Sequence, residues 1–164
     1  MMKHASVEIV AHMGIPADYP ENTLPSLTAA ARLPVYGIEF DVHLTADGEL
    51  VVTHDDTVER CSDGRGRIRN MTLRELRTLD FGGWKAPEFA GTPIPTLSEA
   101  VEAILSAAPG RRMLIEVKED DPECAKAVLE FVTKRGIIDQ IMLTSFFPAI
   151  LRRQIGRASC RERV

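Results

Sequence analysis

Short apolar runs alternate along the chain with segments whose apolar residues recur at helical spacing. The runs predict strands at residues 7–11, 37–42, 113–118 and 138–143, and a hairpin turn at 46–48 predicts that residues 49–53 return beside the second strand. Helices are predicted to begin at Asn22 or Thr23, at Thr72, at Thr96 or Ser98, at Pro122 and at Phe146. Strand, loop, helix and strand in this order form the unit that builds parallel sheets.

The stretch from Gly37 to Asp56 concentrates acids and histidines that folding alone does not require. Glu39 and Asp41 are two residues apart on a predicted strand, so both carboxylates leave the same face. Two acids placed in this way repel each other unless a positive charge lies between them. The returning strand then ends at His54 and Asp55.

Polar residues occupy equivalent places on the other predicted strands. His12 follows the first strand, and Glu116 and Lys118 share a face at the end of the third. Because the carboxyl ends of parallel strands open on one side, these residues are expected to converge with Glu39 and Asp41. Three carboxylates without thiolates suit Mg²⁺ or Ca²⁺. Nearby histidines could take and give protons near neutral pH.

Several of these residues also have simpler structural interpretations. Glu39 and Asp41 alone would fit salt bridges at a strand end equally well, and Glu116 at an equivalent place favours metal binding. Lys118 could be the salt-bridge partner of Glu116, a role compatible with ligand binding. Glu21 and Asn22 could organise their loop as readily as contact a ligand, and His43 is expected at the surface without a function.

Composition and charge exclude several classes of protein. With 20 basic and 24 acidic residues the net charge is -4, which argues against a nucleic-acid partner or an anionic membrane surface. No apolar run approaches the roughly 18 residues of a membrane span. The N-terminal residues lack the pattern of a signal peptide, so a cytoplasmic location is expected. The 3 cysteines show no CxxC spacing, so a disulfide framework or zinc site is not expected.

Seven motifs together resemble those of the glycerophosphodiester phosphodiesterase family. In chain order they are His12-Met-Gly14, Glu21-Asn-Thr23, Glu39-Phe-Asp41-Val, His54-Asp55, Asp63-Gly-Arg-Gly66, Ile94-Pro-Thr-Leu97 and Glu116-Val-Lys118. The resemblance spans residues 7 to about 145. It implies an α/β fold, the TIM (β/α)8 barrel, with a small insertion after the second strand, at about 43–95 in this chain.

The resemblance also implies site residues and a reaction. Glu39, Asp41 and Glu116 would bind a divalent metal, Mg²⁺ or Ca²⁺, while His12 and His54 would form the acid-base pair and Lys118 would help to hold the phosphate. The implied reaction is metal-dependent hydrolysis of glycerophosphodiesters to glycerol 3-phosphate and an alcohol. The expected partner is therefore a small-molecule substrate, with no nucleic acid and no stable insertion into a membrane.

Two features depart from the family pattern. Met13 stands where the family has an arginine, and a thioether cannot replace the bidentate contact of an arginine with phosphate. A full barrel needs eight strands and about 250 residues, whereas residues 1–155 are expected to form its N-terminal half of about four β/α units. Residues 156–164 are expected to be a non-native or disordered tail.

The same features leave alternatives open. The exposed edges of the first and fourth strands could associate in a homo-oligomer. An inactive fragment, or a metal-binding module without turnover, would keep the carboxylates and lose the reaction. A third interpretation is a phospholipase C-like barrel that cleaves phospholipid headgroups and forms a cyclic phosphate.

Overall fold

The structure is a computed structural model that describes residues 7–118 and 122–147. The predicted tail at residues 156–164, and the helix predicted to run on from Phe146, fall outside these ranges.

One five-stranded sheet organises the fold. Its strands are β1 (Val10–His12), β2 (Gly37–Leu44), β3 (Leu50–Val52), β4 (Arg112–Val117) and β5 (Ile141–Thr144). The parallel order is β1, β2, β4, β5, and β3 lies antiparallel against the end of β2 as the predicted hairpin. The helices are α1 (Leu24–Ala31), α2 (Leu73–Leu76), α3 (Leu97–Ala107) and α4 (Pro122–Arg135), with 3-10 turns at Ile68–Asn70, Pro87–Phe89 and Ile138–Gln140.

The two outer strands differ from their predicted bounds. β1 begins at Val10 rather than at residue 7, and Val7 and Ile9 are largely exposed because they precede the first residue in register with β2. β5 begins at Ile141, because the residues before it form a 3-10 turn that leaves Ile138 half exposed. Within the described ranges β1 pairs only with β2 and β5 only with β4, so both outer strands are open edges.

Strand β2 is the most deeply buried part of the sheet. Its apolar side chains Ile38, Phe40 and Val42 are fully buried and belong to one core with Leu27 of α1 and Ile104 of α3. Burying a large apolar side chain contributes about 1.5–3 kcal/mol, so these contacts fix the position of β2. The alternate residues of the strand face the opposite side of the sheet, where the polar side chains lie.

The residues between β3 and α3 form a second, smaller core. Val58, Ile68 and Ile94 are fully or almost fully buried there together with α2. Phe81 joins this core, whereas Trp84 remains 42% exposed. The connection between β3 and α3 is therefore a packed unit of short turns.

Helices α2 and α3 begin where the sequence predicts, α2 after Thr72 and α3 after Thr96, the first of the two predicted alternatives. Thr72 with Glu75, and Thr96 with Glu99, form reciprocal capping boxes at α2 and α3. Thr23 precedes α1, but its hydroxyl donates to a loop carbonyl at 2.6 Å instead of accepting from the helix. Among the described helices, none combines the length and apolar character that crossing a membrane requires.

Candidate active site and metal centre

Three carboxylates meet towards the carboxyl end of the parallel strands. Glu39 and Asp41 leave the same face of β2, and Glu116 on β4 is in register with Asp41. One oxygen atom from each of the three acids lies within 4.8 Å of the other two. The alternation of side chains along β2 and the parallel register with β4 together produce this cluster.

The environment of the three acids favours a cation. Glu39 and Asp41 are buried, and burial, followed by the charge of Asp41, raises the pKa of Glu39 from 4.5 to about 7. Glu39 Oε1 accepts no hydrogen bond from the described residues, and Asp41 Oδ1 is contacted by the Lys118 ammonium at 3.3 Å. Buried carboxylate oxygens without a donor are costly, and a hard divalent cation is the kind of partner that satisfies them. The donor set therefore fits a metal ion.

Asn22 orients Asp41 from the loop that follows β1. Its backbone is in the left-handed region, with φ of +57°, and its side chain is almost fully buried. Asn22 Nδ2 donates to Asp41 Oδ2 at 2.8 Å, and the Asp41 backbone N–H donates to Asn22 Oδ1 at 3.3 Å. Both polar atoms of the Asn22 amide thus bond to Asp41, and the other carboxylate oxygen of Asp41, Oδ1, faces Lys118. The structure gives Asn22 a positioning contact that the sequence left open.

Met13 contributes its backbone to the site. Its N–H donates to Glu39 Oε2 at 3.1 Å, and its φ is +55°. The next residue, Gly14, has φ of +83°, and an added Cβ would lie 2.3 Å from Ser26 Oγ. The Ser26 hydroxyl donates to the Met13 carbonyl at 3.1 Å and accepts from the Ile15 N–H at 2.8 Å. Helix α1 therefore holds this loop in the conformation that aims a donor at Glu39.

Lys118 places a positive charge beside the acids. Its Nζ lies 3.3 Å from Asp41 Oδ1 and 3.1 Å from Glu116 Oε1, so the salt-bridge interpretation of the lysine is observed. Burial opposes the charge of the lysine, but the negative charges of Asp41 and Glu116 outweigh burial and raise its pKa. The same ammonium lies 3.0 Å from His54 Nε2. Lys118 therefore connects the acids to a histidine.

The two histidines singled out in the sequence contact different members of the cluster. His12 is in register with Glu39, and its Nε2 lies 3.8 Å from Glu39 Oε2. The His12 side chain is 64% exposed, which leaves it accessible to a ligand. His54 follows β3, and its Nδ1 lies 2.7 Å from Asp55 Oδ1. The fold thus gathers all six sequence-predicted site residues: His12, Glu39, Asp41, His54, Glu116 and Lys118.

The prediction that His43 lies at the surface is wrong. His43 is 1% exposed, and its Nε2 lies 3.1 Å from the backbone carbonyl oxygen of His54. Residues 39, 41 and 43 are each two apart on one strand, so they share a face and His43 continues the row of acids. The period of the strand therefore contained the signal. In the structure His43 supports the segment that carries His54.

Arg60 belongs to the surroundings of the site although no motif pointed to it. Its Nε donates to Asp55 Oδ2 at 2.6 Å, and a terminal nitrogen donates to Glu21 Oε1 at 2.6 Å. Hydrogen bonding from Arg60, more than any other favourable contact, lowers the pKa of Asp55 to about 2 despite partial burial. Glu21 lies in the loop after β1 and Arg60 in the loop after β3, so only the folded chain brings them together.

Comparison with known proteins gives consistent matches. A family model described as the glycerophosphoryl diester phosphodiesterase family matches residues 12–160. A glycerophosphodiester phosphodiesterase of Caldanaerobacter subterraneus is 46% identical over 96 residues, which cover 58% of this chain and 40% of that protein. The chain spans less than half of the length of such curated relatives.

Solved structures resemble most of this chain. A glycerophosphodiester phosphodiesterase from Agrobacterium tumefaciens superposes with a TM-score of 0.82 at 33% identity, over 94% of this chain and 64% of that one. A phosphodiesterase from Oleispira antarctica, in complex with the product sn-glycerol-3-phosphate, gives a TM-score of 0.79 at 36% identity, over 85% of this chain and 57% of that one. These matches confirm the predicted α/β barrel class, of which the described strands form a part.

Proposed function

The chain belongs to the glycerophosphoryl diester phosphodiesterase family, and we propose that its site serves the metal-dependent hydrolysis of glycerophosphodiesters to glycerol 3-phosphate and an alcohol. The observation that carries the proposal is the cluster of three carboxylates within 4.8 Å, in which the buried Glu39 Oε1 accepts no hydrogen bond from the described residues. The product bound to the Oleispira antarctica relative supports the substrate class.

Glu39, Asp41 and Glu116 would hold the cation. An all-oxygen set without thiolate or imidazole favours the hard cations Mg²⁺ and Ca²⁺. When bound, such a cation polarises the phosphoryl oxygens and offsets the negative charge that develops on them. Lys118 lies next to the same acids and would add a second positive charge towards the phosphate.

His12 and His54 would move the protons of the reaction. A water oxygen forms a bond to phosphorus, its proton passes to one imidazole, and the bond from phosphorus to the alcohol oxygen breaks. The other imidazole donates a proton to that leaving oxygen. The structure supplies two separate imidazoles for these transfers. His12, on β1, lies beside Glu39, and His54, after β3, lies beside Lys118.

A binding module without turnover is the second candidate, and Met13 is the observation that favours it. Met13 donates only its backbone N–H to Glu39, and its side chain offers phosphate no cationic donor. The proposed metal site needs only the carboxylates, so metal binding could persist without catalysis. Met13→Arg tests this candidate, since a gain of activity in the variant would show that the missing guanidinium limits the reaction.

Release of glycerol 3-phosphate from glycerophosphocholine tests the main proposal. We expect release that requires added Mg²⁺ or Ca²⁺ and that His12→Ala abolishes, while Asn70→Ala, at an exposed position that is not one of the predicted site residues, leaves it unchanged. Metal binding without release would support the second candidate, and accumulation of a cyclic phosphate would indicate the headgroup-cleaving reaction. The cytoplasmic location and association through the β1 and β5 edges remain predictions, of which gel filtration tests the second.

A further inference from the structure

We propose that Arg60 is a positioning residue that holds Asp55 and, through Asp55, keeps the His54 ring in the tautomer that carries its hydrogen on Nδ1. The inference rests on the proposed function only for the role of His54 as a proton-transfer group. The arrangement of the ring and its partners does not depend on that role.

Arg60 uses its planar fork to bind two acids from different loops. Its Nε donates to Asp55 Oδ2 at 2.6 Å, and one terminal nitrogen donates both to Asp55 Oδ1 at 3.1 Å and to Glu21 Oε1 at 2.6 Å. The side chain of Glu21 is only 11% exposed, so it is a firm anchor for the guanidinium. Both oxygens of Asp55 therefore accept hydrogen bonds from the Arg60 guanidinium, which Glu21 holds in position.

The partners of the His54 ring identify its tautomer. A lysine ammonium has only donors, so where Lys118 Nζ lies 3.0 Å from His54 Nε2 the nitrogen must be the acceptor. The hydrogen of the neutral ring is then on Nδ1, which lies 2.7 Å from Asp55 Oδ1 and donates to it. Two contacts on opposite edges of the ring thus require the same assignment, and His54 keeps the Nε2 lone pair directed towards Lys118.

Arg60 is needed because Asp55 would otherwise be free to leave the ring. The Asp55 side chain is 30% exposed, and its only described hydrogen bonds are to His54 and Arg60. The guanidinium also favours the charged form of Asp55, whose pKa is about 2, so the carboxylate remains an acceptor at neutral pH. Without Arg60, the Nδ1–H of His54 would have a mobile acceptor that exchanges with water.

The ¹⁵N NMR spectrum of the imidazole nitrogens tests the inference directly. At about pH 8, where an ordinary imidazole is neutral, we expect His54 in the unaltered chain to show a protonated Nδ1 and an unprotonated Nε2. Arg60→Gln should raise the ratio of the Nε2–H to the Nδ1–H form about 10-fold, the effect of losing one charge-assisted hydrogen bond. Arg67→Gln is the matched control, because Arg67 pairs with the neighbouring Asp56 and its own side chain is 68% exposed.

The result that overturns the inference is a His54 tautomer that is already Nε2–H in the unaltered chain, or one that Arg60→Gln changes no more than Arg67→Gln does. Glu21→Gln gives a second variant, expected to shift the tautomer in the same direction by a smaller factor. If the chain turns over substrate, Arg60→Gln should lower kcat by about 10-fold with little change in KM. Removing a hydrogen-bond partner that orients a metal-ligating histidine has effects of this size. The spectrum needs no turnover, so failure of the proposed function and failure of this inference are distinguishable.

Discussion

Because the pKa of Glu39 is raised, we expect Glu39→Gln to stabilise the metal-free chain and to reduce the stabilisation that a bound metal provides. In Glu39→Gln the side chain keeps its shape and an oxygen that can accept the Met13 N–H. The amide removes the charge that burial and Asp41 disfavour, and its NH₂ group can donate to a neighbouring carboxylate. Without metal, we therefore expect the variant to be more stable than the unaltered chain at alkaline pH.

The magnitude follows from the difference between the folded and unfolded pKa of Glu39. Folding raises this pKa from 4.5 to about 7, so the stability contributed by the protonated carboxyl is fully present below 4.5 and is lost as the pH rises through about 7. The loss approaches about 3 kcal/mol at about pH 8 and is about 1 kcal/mol at about pH 5. Glu39→Gln should show the corresponding gain in its free energy of unfolding at each pH.

Urea denaturation in the presence of a chelator measures this difference at the two pH values. Glu49→Gln is the control, because Glu49 is exposed and its substitution should change stability by less than about 0.5 kcal/mol. Added Ca²⁺ at about 100 times its Kd should stabilise the unaltered chain by about 2.7 kcal/mol and Glu39→Gln much less. A variant that is less stable than the unaltered chain at about pH 8 without metal, or a difference that does not change with pH, would refute the reasoning.

Two further predictions concern the loop that carries the site. Asn22→Ala should lower the free energy of unfolding by about 3 kcal/mol, because Asp41 loses both hydrogen bonds, and should weaken metal affinity about 10-fold. Urea denaturation measures the first effect and calorimetric titration the second. An equal loss of stability and affinity in the control Asn70→Ala would contradict this reason. Gly14→Ala should cost about 3 kcal/mol because its Cβ meets a helix hydroxyl at 2.3 Å. Gly48→Ala, at the similar φ of +82° but with open space around it, should cost about 1 kcal/mol, and equal costs would show that strain rather than the collision decides.

The periodicity of β2 shows how far local pattern extends. Alternation along this strand predicts that Glu39 and Asp41 share a face, and the same alternation places His43 beside them. The bounds of β1 and β5 were less predictable, because an apolar residue such as Ile9 or Ile138 has strand propensity whether or not a partner strand covers it. Pairing, which depends on neighbours distant in the chain, decides where an outer strand begins.

The sequence by itself determined the alternation of strands and helices, the helix start at Thr72, and the shared face of Glu39 and Asp41, because each of these depends on spacing within a few residues. The tertiary structure alone decided that Asn22 binds Asp41 and that Arg60 joins loops distant in the chain. Such contacts depend on the register of parallel strands and on loop conformations with positive φ, which are stabilised by packing across the whole sheet rather than by local spacing.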